Sequence, residues 1–290
     1  MRKMRSTLVV AVSLALLSGL GGVAAAQQEE GEPMNSGSEP WDLVWFSDSL
    51  GFDVADLWAA RIEEELGVEV RVHDYARPTL RAVEILPSLD PSIDGYSRLG
   101  DTRSEVAEAE IIVVFGVPTP GVDGDFESCV STSTVPRDPP TRYASEDLAP
   151  YRDVLVSIYE RVFELVGDRP VIVRTIDWPN TLISDWPLAG VEEECTAGWE
   201  ALSDSIEDAA AGFGVPLVSM YDAFNGPDHT EDPRAKGYAG FDGWHPSAAG
   251  SEAMVAALHE AGYEPLRPWA VSGYDGGLGA LYRITLPPVE

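Results

Sequence analysis

Residues 43–51 read LVWFSDSLG, and this stretch decides the fold. Its first four residues are wholly apolar, which is typical of a strand covered on both faces, and the small and polar residues that follow indicate a tight turn. The next segment is a predicted helix, because its apolar residues recur with a helical period and Gly67 can end it: Val54, Leu57, Trp58, Ile62 and Leu66. The stretch therefore predicts a strand, a turn and a helix in succession.

The same alternation continues along the chain. Further apolar runs predict strands at 68–72, 111–115, 171–176 and 217–220. Amphipathic segments predict helices at 53–66, 148–166, 192–213 and 248–261, and a short helix at 79–86 that Pro87 ends. Five strands that alternate with helices imply right-handed crossovers and a parallel sheet. We predict one three-layer α/β domain over residues 41–265.

Both ends of the chain differ from this pattern. Residues 1–26 resemble a signal peptide, with a basic start, an apolar stretch at 8–20 and small residues up to Ala26. A membrane anchor is the alternative, but the stretch is short for a span. We therefore expect a secreted, soluble chain cleaved near Ala26, with no stable membrane insertion. Residues 27–40 are predicted to be a flexible leader and 266–290 a C-terminal extension, either an added edge strand or a packed arm.

The charge excludes several classes of partner. The chain has 49 acidic and 19 basic residues and a formal charge of −30, which becomes −33 if residues 1–26 are removed. Such a surface repels phosphate backbones and anionic lipids, so we expect no nucleic-acid partner. It is either simply a solvated acidic surface or an adaptation to high salt. The two cysteines are too few for a disulfide-dense scaffold or a Cys-rich zinc module.

Two short segments suggest chemistry at the carboxyl ends of the strands, where open parallel sheets place their sites. Ser49 lies in the turn after the first strand, either as a nucleophile or merely as a residue that precedes the helix. Asp242 and His245 lie in one loop after the fifth strand, either as an orienting acid and a base or as a turn with a surface histidine. A serine nucleophile needs such a base and such an acid.

The other histidines are weaker candidates for a base. We expect His73 to be structural, His229 to be solvated in an acidic loop, and His259 to be an ordinary helix residue. His245 therefore remains the histidine with a geometric reason to act.

These segments resemble two blocks of the SGNH/GDSL hydrolases. Residues 46–50, FSDSL, are similar to the first block, with Ser47 in place of the family's glycine, and residues 242–246, DGWHP, are similar to the fifth. The resemblance covers about residues 42–263. It implies a flavodoxin-like fold with strand order 2-1-3-4-5 and an esterase or lipase site without a metal or a cofactor. In that site Ser49 would be the nucleophile, His245 the base and Asp242 its orienting acid.

The sequence departs from the family where oxyanion donors are expected. The second block has no glycine, and Thr79 is the best positional match for its donor N–H. The third block keeps Gly116, but the family's asparagine is missing from the sequence that follows, VPT. Loss of one such donor typically costs about 10²–10³ in rate. Asn180, after the fourth strand, could compensate.

Other polar and aromatic residues carry less weight. Asp123, Asp125 and Glu127 could bind calcium, but they lack the full spacing, and a solvated acidic loop is the better interpretation. Trp178 and Trp244 could line an acyl or sugar pocket or simply pack.

The resulting hypothesis is a secreted esterase or lipase that acts on a small ester, a lipid or an acylated carbohydrate. The alternative is a non-catalytic or weakly active binding domain on the same fold, which the missing asparagine favours. In an oxidising compartment two cysteines can pair in only one way within a chain, so we predict a disulfide between Cys129 and Cys195. Two separately buried cysteines are the alternative.

Overall fold

The computed structural model describes residues 39–117 and 148–266. Their centre is a five-stranded parallel sheet in the order β2-β1-β3-β4-β5. The strands are β1 Trp41–Phe46, β2 Val70–Asp74, β3 Ile111–Val114, β4 Ile172–Ile176 and β5 Leu217–Val218. The three central strands are buried along their whole length, because helices cover both faces of the sheet. The predicted fold class and strand order are confirmed.

The helices form two separate packing groups. In chain order they are α1 Val54–Leu66, α2 Ala82–Leu89, α3 Arg103–Glu108, α4 Ala149–Val166, α5 Trp186–Ala189, α6 Glu192–Ala211, α7 Met220–Asn225 and α8 Ala248–Glu260. In one group α8 contacts α1 and α7, and in the other α4 contacts α2, α3 and α6. This division gives the three layers of the domain.

Two element predictions are wrong. Pro87 does not end a helix but lies inside α2, which begins three residues later than predicted and continues to Leu89. The helix continues past the proline, since Asp90 donates to the Leu86 carbonyl. The fifth strand ends at Val218 rather than at Met220, because Met220 begins α7.

The short helices α3, α5 and α7 were not predicted. None of them is longer than six residues, so none shows a helical period.

Several predictions fall on residues that the structure does not describe. The signal peptide at 1–26, most of the leader at 27–40 and the extension after Leu266 lie outside the described residues, as do the Asp123, Asp125 and Glu127 loop and Cys129. Among the residues that are described, no helix combines the length and apolar character needed to cross a membrane.

Candidate active site

Ser49 lies in a turn that is shaped by its neighbours. Asp48 follows β1 closely and caps the 3₁₀ helix Ser49–Gly51, its Oδ1 accepting the Leu50 N–H at 2.8 Å. A Cβ added at Gly51 would lie 2.0 Å from Ser47 Oγ, so only glycine fits against the fully buried Ser47. This close packing fixes the backbone on both sides of Ser49.

Asp242 and His245 are held together within one loop. Asp242 Oδ1 accepts the N–H groups of Trp244 and His245 at 2.9 and 3.0 Å. Its Oδ2 lies 2.6 Å from His245 Nδ1. Gly243 between them has φ +71°, which glycine adopts without strain. Beyond the loop, Ser247 caps α8 through the Gly250 N–H, so the helix anchors the histidine.

The structure brings this loop to the serine. His245 Nε2 lies 2.9 Å from Ser49 Oγ, which makes a continuous chain from carboxylate to imidazole to hydroxyl. The hydrogen bond from His245 lowers the pKa of Asp242 to about 2 despite partial burial. An ionised carboxylate only accepts, so Nδ1 carries the imidazole proton and Nε2 can accept one from the hydroxyl.

The oxyanion candidates lie in two segments that follow β2 and β3, the strands on either side of β1. The segment after β2 is bound to the neighbouring strands, since Arg77 N–H donates to the Ser47 carbonyl at 3.0 Å and Val117 N–H to the Leu80 carbonyl at 2.9 Å. This arrangement places Thr79 within the segment and Gly116 directly before Val117. The N–H groups of Ser49, Thr79 and Gly116 form no hydrogen bond with any other residue of the described ranges.

Gly116 is required for packing as well. A Cβ at this position would lie 2.8 Å from the Ala82 Cα, so a side chain would push α2 away from the sheet. Its carbonyl accepts a hydrogen bond from the buried Tyr151 hydroxyl at 2.7 Å. The two contacts fix the backbone around the Gly116 N–H.

Asn180 has a role in the loop after β4. The residue is fully buried, and its Oδ1 accepts the Leu182 N–H at 3.1 Å. The Asn225 side chain pairs with the Asn180 backbone, accepting from its N–H and donating to its carbonyl. These contacts join this loop to α7. The buried Nδ2 of Asn180 has no hydrogen-bond partner within the described ranges, and its role as an oxyanion donor remains a prediction.

The other three histidines each have a different partner. His73 lies 2.8 Å from the Asp42 carboxylate at the second strand. His259 lies between the Tyr263 hydroxyl and Glu65. His229 is partly exposed, stacks on Tyr221 and lies 2.8 Å from the exposed Asp222. These contacts are those of structural residues.

A cluster of tryptophans includes Trp244, the residue before His245. Trp178 follows β4, is buried, and makes edge contacts with Trp199 and Trp244 at about 6 Å between ring centroids. Trp244 is only half-buried and directly precedes His245. Trp178 therefore packs in the core, whereas Trp244 has a surface that remains accessible beside the site.

Two contacts near the site were not anticipated. Arg234 forms a two-pronged ion pair with Asp185 at 2.9 and 2.7 Å and donates to the Gly243 carbonyl at 3.2 Å. Arg98 contacts the segment that contains Thr79. Both arginines act across distant parts of the sequence, and no local pattern indicates such pairs.

The predicted disulfide is only half within the described residues. Cys195 is buried in α6, whereas Cys129 lies outside, so the pairing remains a prediction.

Comparison with known proteins identifies the fold. No protein-family model and no curated protein matches the sequence. Among solved structures, a lipase from a goat rumen metagenome is 20% identical, with 77% of this chain and 98% of that chain covered and a TM-score of 0.58. An acetyl xylan esterase variant from Geobacillus stearothermophilus is 13% identical, with 78% and 97% covered and a TM-score of 0.50. Together with the strand order and the helix layers, these likenesses show that the chain has the α/β fold of the SGNH/GDSL hydrolases.

Proposed function

We propose that the protein is a secreted serine hydrolase of carboxylic esters. The observation that carries the proposal is the hydrogen-bonded chain from Asp242 through His245 to Ser49 Oγ. This is the arrangement that a serine nucleophile needs for activation. The likeness of the fold to a lipase and an acetyl xylan esterase supports the same reaction class.

The proposed reaction uses these three residues and passes through an acyl-enzyme. As Ser49 Oγ bonds to the acyl carbon, His245 Nε2 takes the hydroxyl proton, and the ionised Asp242 stabilises the resulting imidazolium. The tetrahedral intermediate collapses when the ester C–O bond breaks, and the alcohol leaves with the proton from His245. Water then attacks the acyl-enzyme by the same route and releases the acid and Ser49. The N–H groups of Ser49, Thr79 and Gly116 are the proposed donors to the oxyanion.

The first prediction is that a fluorophosphonate probe labels the purified wild-type protein at one serine. Because the nucleophilic hydroxyl is absent, Ser49→Ala should remove both the labelling and the hydrolysis of 4-nitrophenyl acetate. Its melting temperature should change little. Asp242→Asn should lower kcat by about 10⁴, since the imidazole loses its orienting acceptor. Ser251→Ala, on α8, is the matched control. Wild-type protein that neither labels nor hydrolyses the ester would favour a binding domain on the same fold.

A further inference from the structure

Thr79 has a backbone conformation that its side chain disfavours. Its φ is +52°, in the left-handed region, and Thr79 is both exposed and β-branched. β-Branched residues rarely adopt this region, and the strain persists only where surrounding contacts impose it. The SGNH/GDSL resemblance places a glycine in this block, and glycine has no such cost. Within the turn, the Leu80 N–H donates to the Arg77 carbonyl at 3.1 Å and the Thr79 hydroxyl to the Pro78 carbonyl at 2.7 Å, and a contact from outside the turn can hold it in place.

Arg98 makes the contacts that can do so. Its Nη1 donates to the Pro78 carbonyl at 2.9 Å and its Nη2 to the Thr79 carbonyl at 3.0 Å. The same guanidinium bonds both oxygens of Glu84, at 2.7 and 2.8 Å. One arginine thus joins two consecutive carbonyls of the segment to a carboxylate, and we call this arrangement the Arg98 clamp.

The clamp is anchored on a fixed element. Glu84 lies in the first turn of α2 and is only 2% exposed. Burial would raise the pKa of Glu84, but hydrogen bonds from Arg98 and Arg81 outweigh it and hold the pKa below its ordinary value. The carboxylate therefore remains charged near neutral pH. Helix α2 is itself held close to β3 by the contact between Ala82 and Gly116.

We propose that Arg98 is a positioning residue for the oxyanion site. By joining the carbonyls of Pro78 and Thr79 to Glu84, Arg98 keeps Thr79 in the left-handed conformation. In this conformation the Thr79 N–H is presented to the carbonyl oxygen of the ester. The clamp stabilises a positive φ that a glycine at this position would adopt without strain. This inference rests on the proposed ester hydrolysis and adds to it a residue outside the triad.

The test compares the loss of Arg98 in two backgrounds. The values of kcat and KM for 4-nitrophenyl acetate are measured for Arg98→Gln beside Thr79 and again beside Thr79→Gly. With threonine, kcat should fall about tenfold or more with KM within about twofold, because an oxyanion donor acts mainly in the transition state and its displacement removes that stabilisation. With glycine, the fall should be less than about threefold, since glycine needs no clamp to adopt a positive φ.

The structure offers a matched control. Arg169 likewise joins a glutamate, Glu110, to two backbone carbonyls, those of Ala107 and Ala109, but at the amino end of the sheet. Arg169→Gln should leave kcat unchanged in both backgrounds. If Arg98→Gln does not fold, Arg98→Lys tests the same coupling, because one ammonium cannot bond Glu84 and both carbonyls together.

The outcomes separate the clamp from the proposed function. An equal fall in kcat in both backgrounds, or a fall no larger than that of Arg169→Gln, overturns the clamp while Ser49→Ala still abolishes activity. Wild-type protein without hydrolysis or fluorophosphonate labelling overturns the function and the clamp together. A fall confined to the threonine background supports the clamp, since general destabilisation would act in both.

Discussion

Asp48, the residue before Ser49, is an almost completely buried carboxyl group. Only 4% of the residue is exposed, and the Leu50 N–H is its hydrogen-bond donor. Burial raises its pKa to about 7, although the Leu50 N–H and the nearby His245 oppose the shift. The group therefore changes charge near neutral pH while it caps the turn that carries Ser49.

The sign of the resulting pH dependence follows from linkage. Since the pKa is raised on folding, Asp48 contributes stability that is fully present below about pH 4 and is lost as the pH rises to about 7. A shift of about three units corresponds to a free energy on the order of 4 kcal/mol. Asp48→Asn cannot ionise, so its free energy of unfolding relative to wild type should rise between pH 4 and 7. Urea unfolding at several pH values measures this difference.

Asp101→Asn is the matched control for Asp48. The hydrogen bonds from Arg103 lower the pKa of this exposed aspartate to about 2, so its contribution is lost only as the pH falls below about 4. Its difference from wild type should stay flat between pH 4 and 7. A flat difference for Asp48→Asn as well would contradict the raised pKa.

At the residue scale, local sequence indicated the acid–base pair but not the groups that need distant partners. Asp242 and His245 are three residues apart, so one turn can join them, and the family resemblance linked them to Ser49. Asp177 was missed, although its fully buried carboxylate accepts from Ser203, Ser219, Met220 and Tyr221. Its partners lie 26 to 44 positions away, which no local pattern shows. The positive φ of Thr79 was also not predicted, because a β-branched residue is not expected in the left-handed region.

At the scale of elements, Arg234 joins α5 to the loop that carries His245. The Asp185 carboxylate precedes α5, and Arg234 connects it to the Gly243 carbonyl between Asp242 and His245. The hydrogen bonds of Arg234 and Asp185 do not include Ser49. The ion pair can therefore affect the reaction only through the position of the loop.

Removal of this connection should lower the rate more than the affinity. For Arg234→Gln we expect kcat to fall about tenfold with little change in KM, because a shift of about 1 Å in a catalytic group can cost up to 10². Asp185→Asn should act similarly, and the double variant should lose no more than the worse single variant, because both remove one contact. Steady-state kinetics with the ester measures these values.

Arg161→Gln provides the comparison for Arg234. Arg161 also joins a carboxylate, Glu164, to a backbone carbonyl, that of Leu89, but on α4. Its kcat should equal that of wild type. Additive losses from Arg234→Gln and Asp185→Asn would show that the two residues do not act as a unit.

The elements themselves were predictable where a hydrophobic period extends over several turns or a whole strand. Helix α1 and the central strands, which are buried throughout, are of this kind. The boundary between β5 and α7 was not, because the helix begins where Asp177 accepts the N–H groups of Met220 and Tyr221. A tertiary contact therefore decides where this strand ends, whereas the apolar run alone would extend it.

At the scale of the whole molecule, the amino terminus and the cysteines belong to one hypothesis. The signal-like segment at 1–26 would send the chain to an oxidising compartment, where two cysteines form a stable pair. Cys195 is fully buried in α6, in the packing group that includes α4. A bond to Cys129 would join that helix to the part of the chain between β3 and α4.

Thiol titration of the secreted protein, denatured but not reduced, is the last prediction. We expect no titratable thiol before reduction and two per chain afterwards, because each cysteine has only the other as an intramolecular partner. Reduction should also lower the melting temperature, since closing a loop of this length stabilises by ~4 kcal/mol in the chain-entropy model, less any strain. The variant with both cysteines changed to serine should melt like the reduced protein and not respond to reductant. Two titratable thiols per chain before reduction would instead favour separately buried cysteines, and the segment between β3 and α4 would then have no covalent link to α6.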